Sequence, residues 1–333
     1  MRADGKHCPL RSAVFPPVML ALCVPEGSHW MVSRESREYL RELRKGPAFG
    51  AAGREFNLDE LRMGMATRRA PTHSDVRCFR SQMDGIPCEW VMAPGADPDL
   101  RLLYLHGGGY VSGSGAFYLA LAAHISAAAQ CAVLLPDYRL APEHRFPAAL
   151  QDCVCAHEWM IASGPSGPVP AKATFIAGDS AGGGLTLATL LALRDRRQPL
   201  PAAGIALSAF ADLTLAGASI QCESEYDPIM SPRCLPVFVD LYLGKMDPRT
   251  PLASPVFGDY SGIPPLLIQV GEHEIIRDDS VRAAAKARSD GIEVTLEVWP
   301  GMFHVFQSHE PLLPEGREAI EHMAGFMRSC LAR

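Results

Sequence analysis

Apolar positions along the chain follow two periods, and their alternation predicts the order of strands and helices. From residue 76 onward, short apolar and β-branched runs are separated by longer segments whose apolar positions recur at helical spacing. Runs of the first kind are typical of strands, and segments of the second kind are typical of helices. The predicted strands are 76–82, 86–93, 100–105, 131–135, 174–177, 204–208, 266–270 and 292–299.

Predicted helices separate most of these strands. They cover 118–130, 146–162, the leucine-rich segment that ends at Arg197, 279–289 and 315–331. Because strands that alternate with helices form mainly parallel sheets, we predict the α/β class, with an eight-stranded, mostly parallel sheet covered on both faces. The Asp84-Gly85 turn predicts a hairpin of the first two strands, which adds antiparallel strands at one edge.

Two segments do not follow this alternation. Residues 28–70 show helical spacing in two pieces, with a break at Gly46-Pro47, and have no strand pattern. Residues 211–262 contain one helical piece, around 232–243, among many turn residues. A long excursion between strands is usually a functional lid rather than a slack loop. We therefore interpret both segments as additions to the sheet domain.

Composition and charge limit the possible partners. The 333 residues are 48% hydrophobic and 20% charged, with a formal net charge of −6, which is ordinary for a globular protein with a large core. The chain has no long basic run, so we expect no nucleic-acid partner. It also has no stretch near the roughly 20 apolar residues of a membrane span, so we expect no membrane partner.

The cysteines and the N-terminus bear on the compartment. Ten cysteines are scattered along the chain without C-x-x-C spacing, which is typical of buried, reduced thiols. An apolar stretch, 13–24, follows Arg2, Lys6 and Arg11 and faintly resembles a secretion signal. Pro16-Pro17 interrupts that stretch, and no small-residue cleavage site follows it. We therefore expect a cytoplasmic protein.

The pentapeptide Gly178-Asp179-Ser180-Ala181-Gly182 lies where a predicted strand passes into the leucine-rich helix. This is the G-x-S-x-G pattern, which holds a serine exposed on a tight strand-to-helix turn. The outer residues must be small because the backbones of strand and helix nearly touch there. A nucleophilic Ser180 is the favoured interpretation. A structural turn and a phosphate-binding loop are the alternatives, although Leu185 stands where such a loop carries lysine.

A second glycine-rich turn, His106-Gly107-Gly108-Gly109-Tyr110, ends the strand 100–105. Its backbone N–H groups are not covered by side chains and can approach a substrate oxygen closely. Together with the N–H of Ala181 they can form an oxyanion hole. The alternative is a flexible loop. We expect His106 to fix this loop by hydrogen bonding.

A nucleophilic serine needs a base and an acid. His304 follows the last strand and can reach the carboxyl edge of the sheet, whereas His124, His157 and His322 lie on predicted helices. The acid is expected after the strand 266–270, where Glu274, Asp278 and Asp279 compete. Asp278 and Asp279 begin a helix, and a capping role explains them. The pattern alone leaves this choice open.

Four ordered motifs now resemble one family. They are HGGGY at 106–110, DYRLAPEHRFPAAL at 137–150, GDSAGGG at 178–184 and WPGMFHVF at 299–306. They resemble those of the bacterial hormone-sensitive-lipase-like esterases, over about residues 75–330. The resemblance implies an α/β-hydrolase fold with a helical cap. Residues 1–70 would form the first cap segment, 71–333 the catalytic domain, and 211–262 a second cap segment inserted in that domain.

The resemblance also implies roles for individual residues. Ser180 would be the nucleophile, His304 the base, and Gly107, Gly108 and Ala181 the oxyanion hole. The family's acid often lies in a loop similar to D-P-L-x-D, and that alignment puts Glu274 at the first aspartate. Glu274 is therefore the preferred acid, with Asp278 as the alternative. Candidate pocket walls are Tyr110, Phe210, Asp227, Ile229 and Met230.

The expected function is that of a serine carboxylesterase acting on small-molecule, short-chain acyl esters, with no metal and no cofactor. An amidase, lactonase or deacetylase with the same triad is an alternative. A ligand receptor on the same fold is another, but plant receptors that resemble these esterases have lost the histidine that His304 supplies here. Since relatives often pair at the edge strand, we also expect a homodimer formed through 292–299.

Overall fold

The structure, a computed structural model, describes residues 32–46, 48–51, 56–67, 69, 71, 75–223, 226–309 and 311–332. The stretch 13–24, which faintly resembles a secretion signal, lies outside these residues, as does the first part of the predicted cap segment 1–70. Among the residues described, no helix is both long enough and apolar enough to cross a bilayer.

An eight-stranded sheet forms the centre of the described chain. Its strands are β1 Arg77–Met83, β2 Ile86–Met92, β3 Asp97–Leu105, β4 Cys131–Pro136, β5 Ala173–Asp179, β6 Ala203–Leu207, β7 Leu266–Gly271 and β8 Val294–Trp299. The spatial order is β1-β2-β4-β3-β5-β6-β7-β8. The pairs β1–β2 and β2–β4 are antiparallel, and the others are parallel. The predicted α/β class and the predicted eight-stranded, mostly parallel sheet are confirmed.

Helices cover both faces of this sheet. They are α1 Arg34–Leu43, α2 Leu58–Met65, α3 Leu119–Ala129, α4 Ala148–Ala162, α5 Ala181–Asp195, α6 Ser219–Cys222, α7 Cys234–Leu243, α8 Arg277–Ser289 and α9 Pro314–Leu331. One core cluster joins α4, α5 and α8 to the sheet, and a second joins α3 and α9 to the other face. Alternate β3 residues enter the two clusters, as the period of a strand requires: Leu103 enters the first and Leu102 the second.

The two segments outside the strand–helix alternation meet each other. The N–H of Phe49 donates to the carbonyl of Ile229 at 2.8 Å, and the N–H of Ser231 donates to the carbonyl of Phe49 at 2.9 Å. The Phe49 ring also stacks on Phe238 of α7, with centroids 6.0 Å apart. Besides the predicted helical piece, the insertion contains α6 and a 3-10 turn at Pro255–Phe257. The domain boundaries 1–70, 71–333 and 211–262 stay predictions.

Asp278 and Asp279 hold the start of the insertion in place. Oδ2 of Asp279 accepts hydrogen bonds from the N–H groups of Ala211 and Asp212, at 3.0 and 2.9 Å. Oδ2 of Asp278 accepts one from the N–H of Ser219 at 3.0 Å. The helix α8 has no side-chain cap, so the predicted capping role is wrong. Both carboxylates instead satisfy backbone donors of the neighbouring segment.

Candidate active site

Ser180 lies on a sharp turn between β5 and α5. Its φ of 53° and ψ of −120° are unusual for a residue with a side chain, and such strain is typical of functional turns. The neighbouring backbones leave no space for larger residues, since a Cβ on Gly182 would lie 1.9 Å from the carbonyl oxygen of Leu105. The N–H of Ser180 donates to the carbonyl of Leu207 at 2.9 Å. The turn therefore fixes the hydroxyl at the carboxyl edge of the sheet.

Ser180, His304 and Glu274 form a hydrogen-bonded chain. Oγ of Ser180 lies 3.0 Å from Nε2 of His304, and Nδ1 of His304 lies 2.9 Å from Oε2 of Glu274. Because an ionised carboxylate only accepts hydrogen bonds, Nδ1 of the ring carries the proton that faces Glu274. Nε2 then has a lone pair that can accept the proton of the Ser180 hydroxyl.

Glu274 is buried and held by further donors. Its Oε1 accepts hydrogen bonds from the Ser208 hydroxyl at 2.8 Å and from the N–H of Gly271 at 2.5 Å. The Ser208 oxygen in turn accepts from the N–H of Val305 at 3.1 Å, directly after His304. Sequence reasoning missed Ser208. The available signal was a polar residue directly after β6, at the sheet edge where the other site residues lie.

The environment of His304 favours its protonated form. Burial on its own lowers the pKa of the imidazole, whereas the hydrogen bond and negative charge of Glu274 raise it. The charges of Asp227 and Asp179 add to the increase, and the net result is a pKa above the usual value. The site therefore stabilises the imidazolium that forms when His304 takes a proton.

The glycine loop after β3 differs from the sequence prediction at Gly107. The N–H of Gly107 donates to Oδ1 of Asp179 and to the hydroxyl of Tyr118, both at 3.1 Å. These bonds contradict the assignment of Gly107 as an oxyanion donor. Gly108 and Gly109 line the cavity beside Ser180, and their N–H groups donate to no other residue that the structure describes. The two glycines that face the cavity are thus Gly108 and Gly109, one residue further along the chain than the predicted pair Gly107 and Gly108.

His106 fixes this loop, as predicted. Its ring stacks on Tyr138 with centroids 4.2 Å apart, and its Nδ1 lies 2.9 Å from the Gly107 carbonyl. The Tyr138 hydroxyl donates to the His106 carbonyl at 2.6 Å. Burial lowers the pKa of the imidazole, which therefore stays neutral as a structural group.

A cavity of about 300 Å³ opens over Ser180 and His304. Most of its wall is apolar and comes from both segments outside the strand–helix alternation as well as from the sheet domain. The apolar wall residues are Phe49, Leu61, Met65, Phe117, Ala120, Leu121, Phe210, Ile229, Met230, Leu235, Phe238, Ile276 and Val305. The structure thus brings Phe210, Ile229 and Met230 to the cavity, where the sequence prediction placed them.

Tyr110 and Asp227, also predicted as walls, lie behind the cavity surface. The Tyr110 hydroxyl donates to the Phe210 carbonyl at 2.6 Å, and its ring stacks on Tyr242 with centroids 4.0 Å apart. Asp227 accepts hydrogen bonds from three backbone N–H groups, those of Ile229, Met230 and Ile275. Both side chains therefore support wall residues and do not face the cavity, which corrects the prediction.

Comparison with known proteins agrees with this architecture. The family description for the alpha/beta hydrolase fold matches residues 102–308. An acetyl-hydrolase from Streptomyces hygroscopicus is 45% identical over 241 residues, which are 72% of this chain and 79% of that protein. The crystal structure of EstE5 soaked with p-nitrophenyl butyrate is 41% identical, with a TM-score of 0.83, and covers 90% of this chain and 100% of its own.

A third relative indicates to which group of α/β-hydrolases the chain belongs. It is an esterase of the bacterial hormone-sensitive lipase family, 39% identical, with a TM-score of 0.80 over 90% of this chain and 99% of its own. The chain therefore belongs to the α/β-hydrolase family, in the group of bacterial hormone-sensitive-lipase-like esterases.

Proposed function

We propose that this protein, an ester hydrolase by its family, is a serine carboxylesterase that acts on short-chain acyl esters. The hydrogen-bonded chain Ser180–His304–Glu274 at the floor of the cavity carries this proposal. Oγ of Ser180 attacks the ester carbonyl carbon while Nε2 of His304 takes the hydroxyl proton. Glu274 keeps the imidazolium oriented and stabilised. His304 then gives the proton to the departing alcohol, and an acyl-enzyme remains.

Water completes the reaction. His304 takes a proton from a water molecule, whose oxygen attacks the acyl-enzyme, and the carboxylic acid leaves as Ser180 regains its proton. The negative oxygen of each tetrahedral intermediate is held by the N–H groups of Gly108, Gly109 and Ala181. Ala181 begins α5, so its N–H points out of the helix terminus and needs no intrahelical partner. A lost donor of this kind typically costs about 3 kcal/mol of transition-state stabilisation.

The size of the cavity supports the preference for short acyl groups. The mostly apolar cavity of about 300 Å³ must hold both sides of the ester around Ser180. Ligand pockets generally span 300–1,000 Å³, so this one is at the lower limit. The similar EstE5 structure was soaked with p-nitrophenyl butyrate, an ester with a short acyl group, which agrees with the proposed preference.

A chain-length series tests the proposal. We expect p-nitrophenyl acetate, butyrate and hexanoate to give higher kcat/KM than the dodecanoate, and matched anilides and lactones to react more slowly. Ser180→Ala should lower turnover by about 10³-fold or more at unchanged thermal stability, because loss of a triad member generally costs at least that much. A maximum at the dodecanoate would contradict the short-chain preference, and an active Ser180→Ala variant would place the nucleophile elsewhere.

A further inference from the structure

One cationic side chain interrupts the apolar wall of the cavity. Arg69 lines the cavity together with the polar residues Ser308 and His309. The carbon Cζ of the Arg69 guanidinium lies 3.6 Å from the centre of the Phe117 ring, and the backbone N–H of Arg69 donates to the carbonyl of Ala116 at 3.0 Å. Arg69 is exposed, and its contact with Phe117 places the guanidinium against the wall of the cavity.

Arg69 has no acidic partner in the described part of the chain. No carboxylate there lies within ion-pair distance of its guanidinium, and the N–H groups of the guanidinium make no hydrogen bond to those residues. Other arginines differ, because Arg62 pairs with Glu143 and Arg139 with Asp152. Among the described residues, therefore, no acidic group pairs with the positive charge of Arg69.

The neighbouring polar groups of the cavity do not supply the missing negative charge. His309 is neutral, since burial, together with the charge of Arg69, lowers the pKa of its imidazole to about 4. Its Nδ1 lies 2.8 Å from the hydroxyl of Tyr39. Asp179 also lines the cavity, but its carboxylate accepts hydrogen bonds from Tyr104, Tyr118 and the N–H of Gly107 and forms no ion pair with Arg69. An anionic ligand would therefore meet an uncompensated guanidinium at this wall.

Stacking on Phe117 leaves the N–H donors of the Arg69 guanidinium available for a ligand. A ring contact uses the flat face of the group, while its N–H donors point outward in its plane. Those donors match the two oxygens of a carboxylate, and because Arg69 is exposed they stay accessible to a ligand in the cavity. A simple alkyl ester has no carboxylate with which these donors could pair.

We propose that the substrates of this enzyme are esters that carry a carboxylate away from the scissile bond, and that Arg69 binds this carboxylate in the cavity. The proposal rests on the ester-hydrolase function and names a substrate class for the same site. Arg69 is a specificity-determining residue here and takes no part in proton transfer at Ser180.

Paired substrates that differ only in charge test this. On the acyl side, mono-p-nitrophenyl glutarate is compared with p-nitrophenyl pentanoate. On the alcohol side, 4-butyryloxybenzoate is compared with its neutral methyl ester. Arg69→Met keeps an unbranched apolar stem against Phe117 and removes the charge. Arg317→Met, at an exposed position on α9, removes the same charge away from the cavity and serves as the matched control.

We expect Arg69→Met to lower kcat/KM about tenfold or more for the anionic member of at least one pair, mainly through KM. This is the loss expected when hydrogen bonds to a charged group are removed. Both neutral esters should change less than about threefold, and Arg317→Met should change none of the four. Arg69→Lys, which keeps the charge, should retain part of the selectivity.

Two results would overturn the proposal: equal losses for both members of each pair, or unchanged kinetics for all four substrates in Arg69→Met. Thermal unfolding of Arg69→Met and Arg69→Lys verifies that each variant is folded, and either one suffices for the comparison. Neutral-ester turnover by the wild type and its loss in Ser180→Ala test the esterase function separately, so the two proposals fail independently.

Discussion

The N–H of Gly107 donates to Oδ1 of Asp179 across 3.1 Å, and this bond joins the glycine loop to the nucleophile turn. Asp179 directly precedes Ser180, and Gly107 directly precedes the two glycines that face the cavity. The hydroxyls of Tyr104 and Tyr118 also donate to the Asp179 carboxylate, both at 2.9 Å. Burial raises the pKa of this carboxyl to about 6, although these three donors favour its charged form.

We predict that Asp179→Asn lowers kcat while the fold stays intact. Asparagine has one carbonyl oxygen for three donors, so the loop can shift relative to Ser180. A misplacement of about 1 Å in a catalytic group can cost 10²-fold, and we expect a loss of about 10- to 100-fold in kcat. Steady-state kinetics and thermal unfolding measure the two effects.

Tyr104→Phe is the control for Asp179→Asn. It removes one donor of the cluster and leaves the bond between Gly107 and Asp179, so its effect on kcat should be smaller. A kcat for Asp179→Asn within about twofold of the wild type would show that this bond does not position the loop. A larger loss in Tyr104→Phe than in Asp179→Asn would give the same conclusion.

The choice of acid gives the second prediction. Glu274→Gln should lower kcat by about 10³- to 10⁴-fold, because a neutral amide does not hold His304 in the required tautomer. Asp278→Asn should lose less than about tenfold, since Asp278 binds the N–H of Ser219 in the insertion and makes no contact with His304 among the described hydrogen bonds. The two purified variants are compared by kcat on p-nitrophenyl butyrate.

Both substitutions exchange a carboxylate for an amide of the same size, so each serves as the control for the other. The reverse order of activities would move the acid to Asp278. Equal and small losses would show that His304 does not depend on either carboxylate.

The raised pKa of His304 gives the third prediction. The imidazole must be neutral to take the proton of Ser180, so kcat/KM should fall as the pH is lowered through a pKa above 6.5. Glu274→Gln removes the hydrogen-bonded negative charge that raises this pKa. The pH at which the residual activity is lost should therefore be lower in the variant than in the wild type. A pH profile of kcat/KM for both proteins measures the shift, and an unchanged profile in the variant would contradict it.

Folding stability should respond to His304 in the opposite direction. A folded-state pKa above the unfolded value means that the native protein binds the proton more tightly. Its contribution to the free energy of unfolding is fully present below the unfolded pKa, about 6.5. It is lost as the pH rises through the raised folded pKa. Acidic conditions thus favour the protonated site and oppose its catalysis.

The strands and the nucleophile turn are predictable from the sequence because they depend on local period and on the spacing of small residues. The oxyanion loop is not, because the direction of each N–H depends on positive φ values at Gly108 and Gly109 and on a partner, Asp179, in another strand. The sequence does not show whether Tyr110 forms part of the cavity wall or supports it from behind. The answer depends on the position of the Phe210 carbonyl, to which its hydroxyl donates. Ser208 acts through Glu274 and Val305, which lie far from it in the chain.

The edge strand β8 is less protected than its sequence indicates. Of the two glutamates in 292–299, Glu293 is exposed just before the strand, whereas Glu297 is buried. Its Oε1 lies 3.0 Å from Nδ1 of His322, and its Oε2 accepts from Nε2 of Gln269 at 2.9 Å and from Nε1 of Trp299 at 3.2 Å. The charge that could discourage pairing therefore points into the protein.

We predict a homodimer in which β8 pairs with β8 of a second copy. The strand ends the sheet and joins only β7 in the described structure, while Val294 and Val298 are half-buried and Thr295 is exposed. An edge strand without an exposed charge within its own length is a template for pairing, and two-fold dimers are the commonest oligomers. Light scattering after size exclusion at micromolar concentration should give about twice the chain mass of 36.0 kDa.

Val294→Lys with Val298→Lys should give a monomer that keeps its circular dichroism and its turnover. A wild-type mass near 36.0 kDa would exclude the dimer, and a dimer that persists in the folded double variant would place its interface elsewhere.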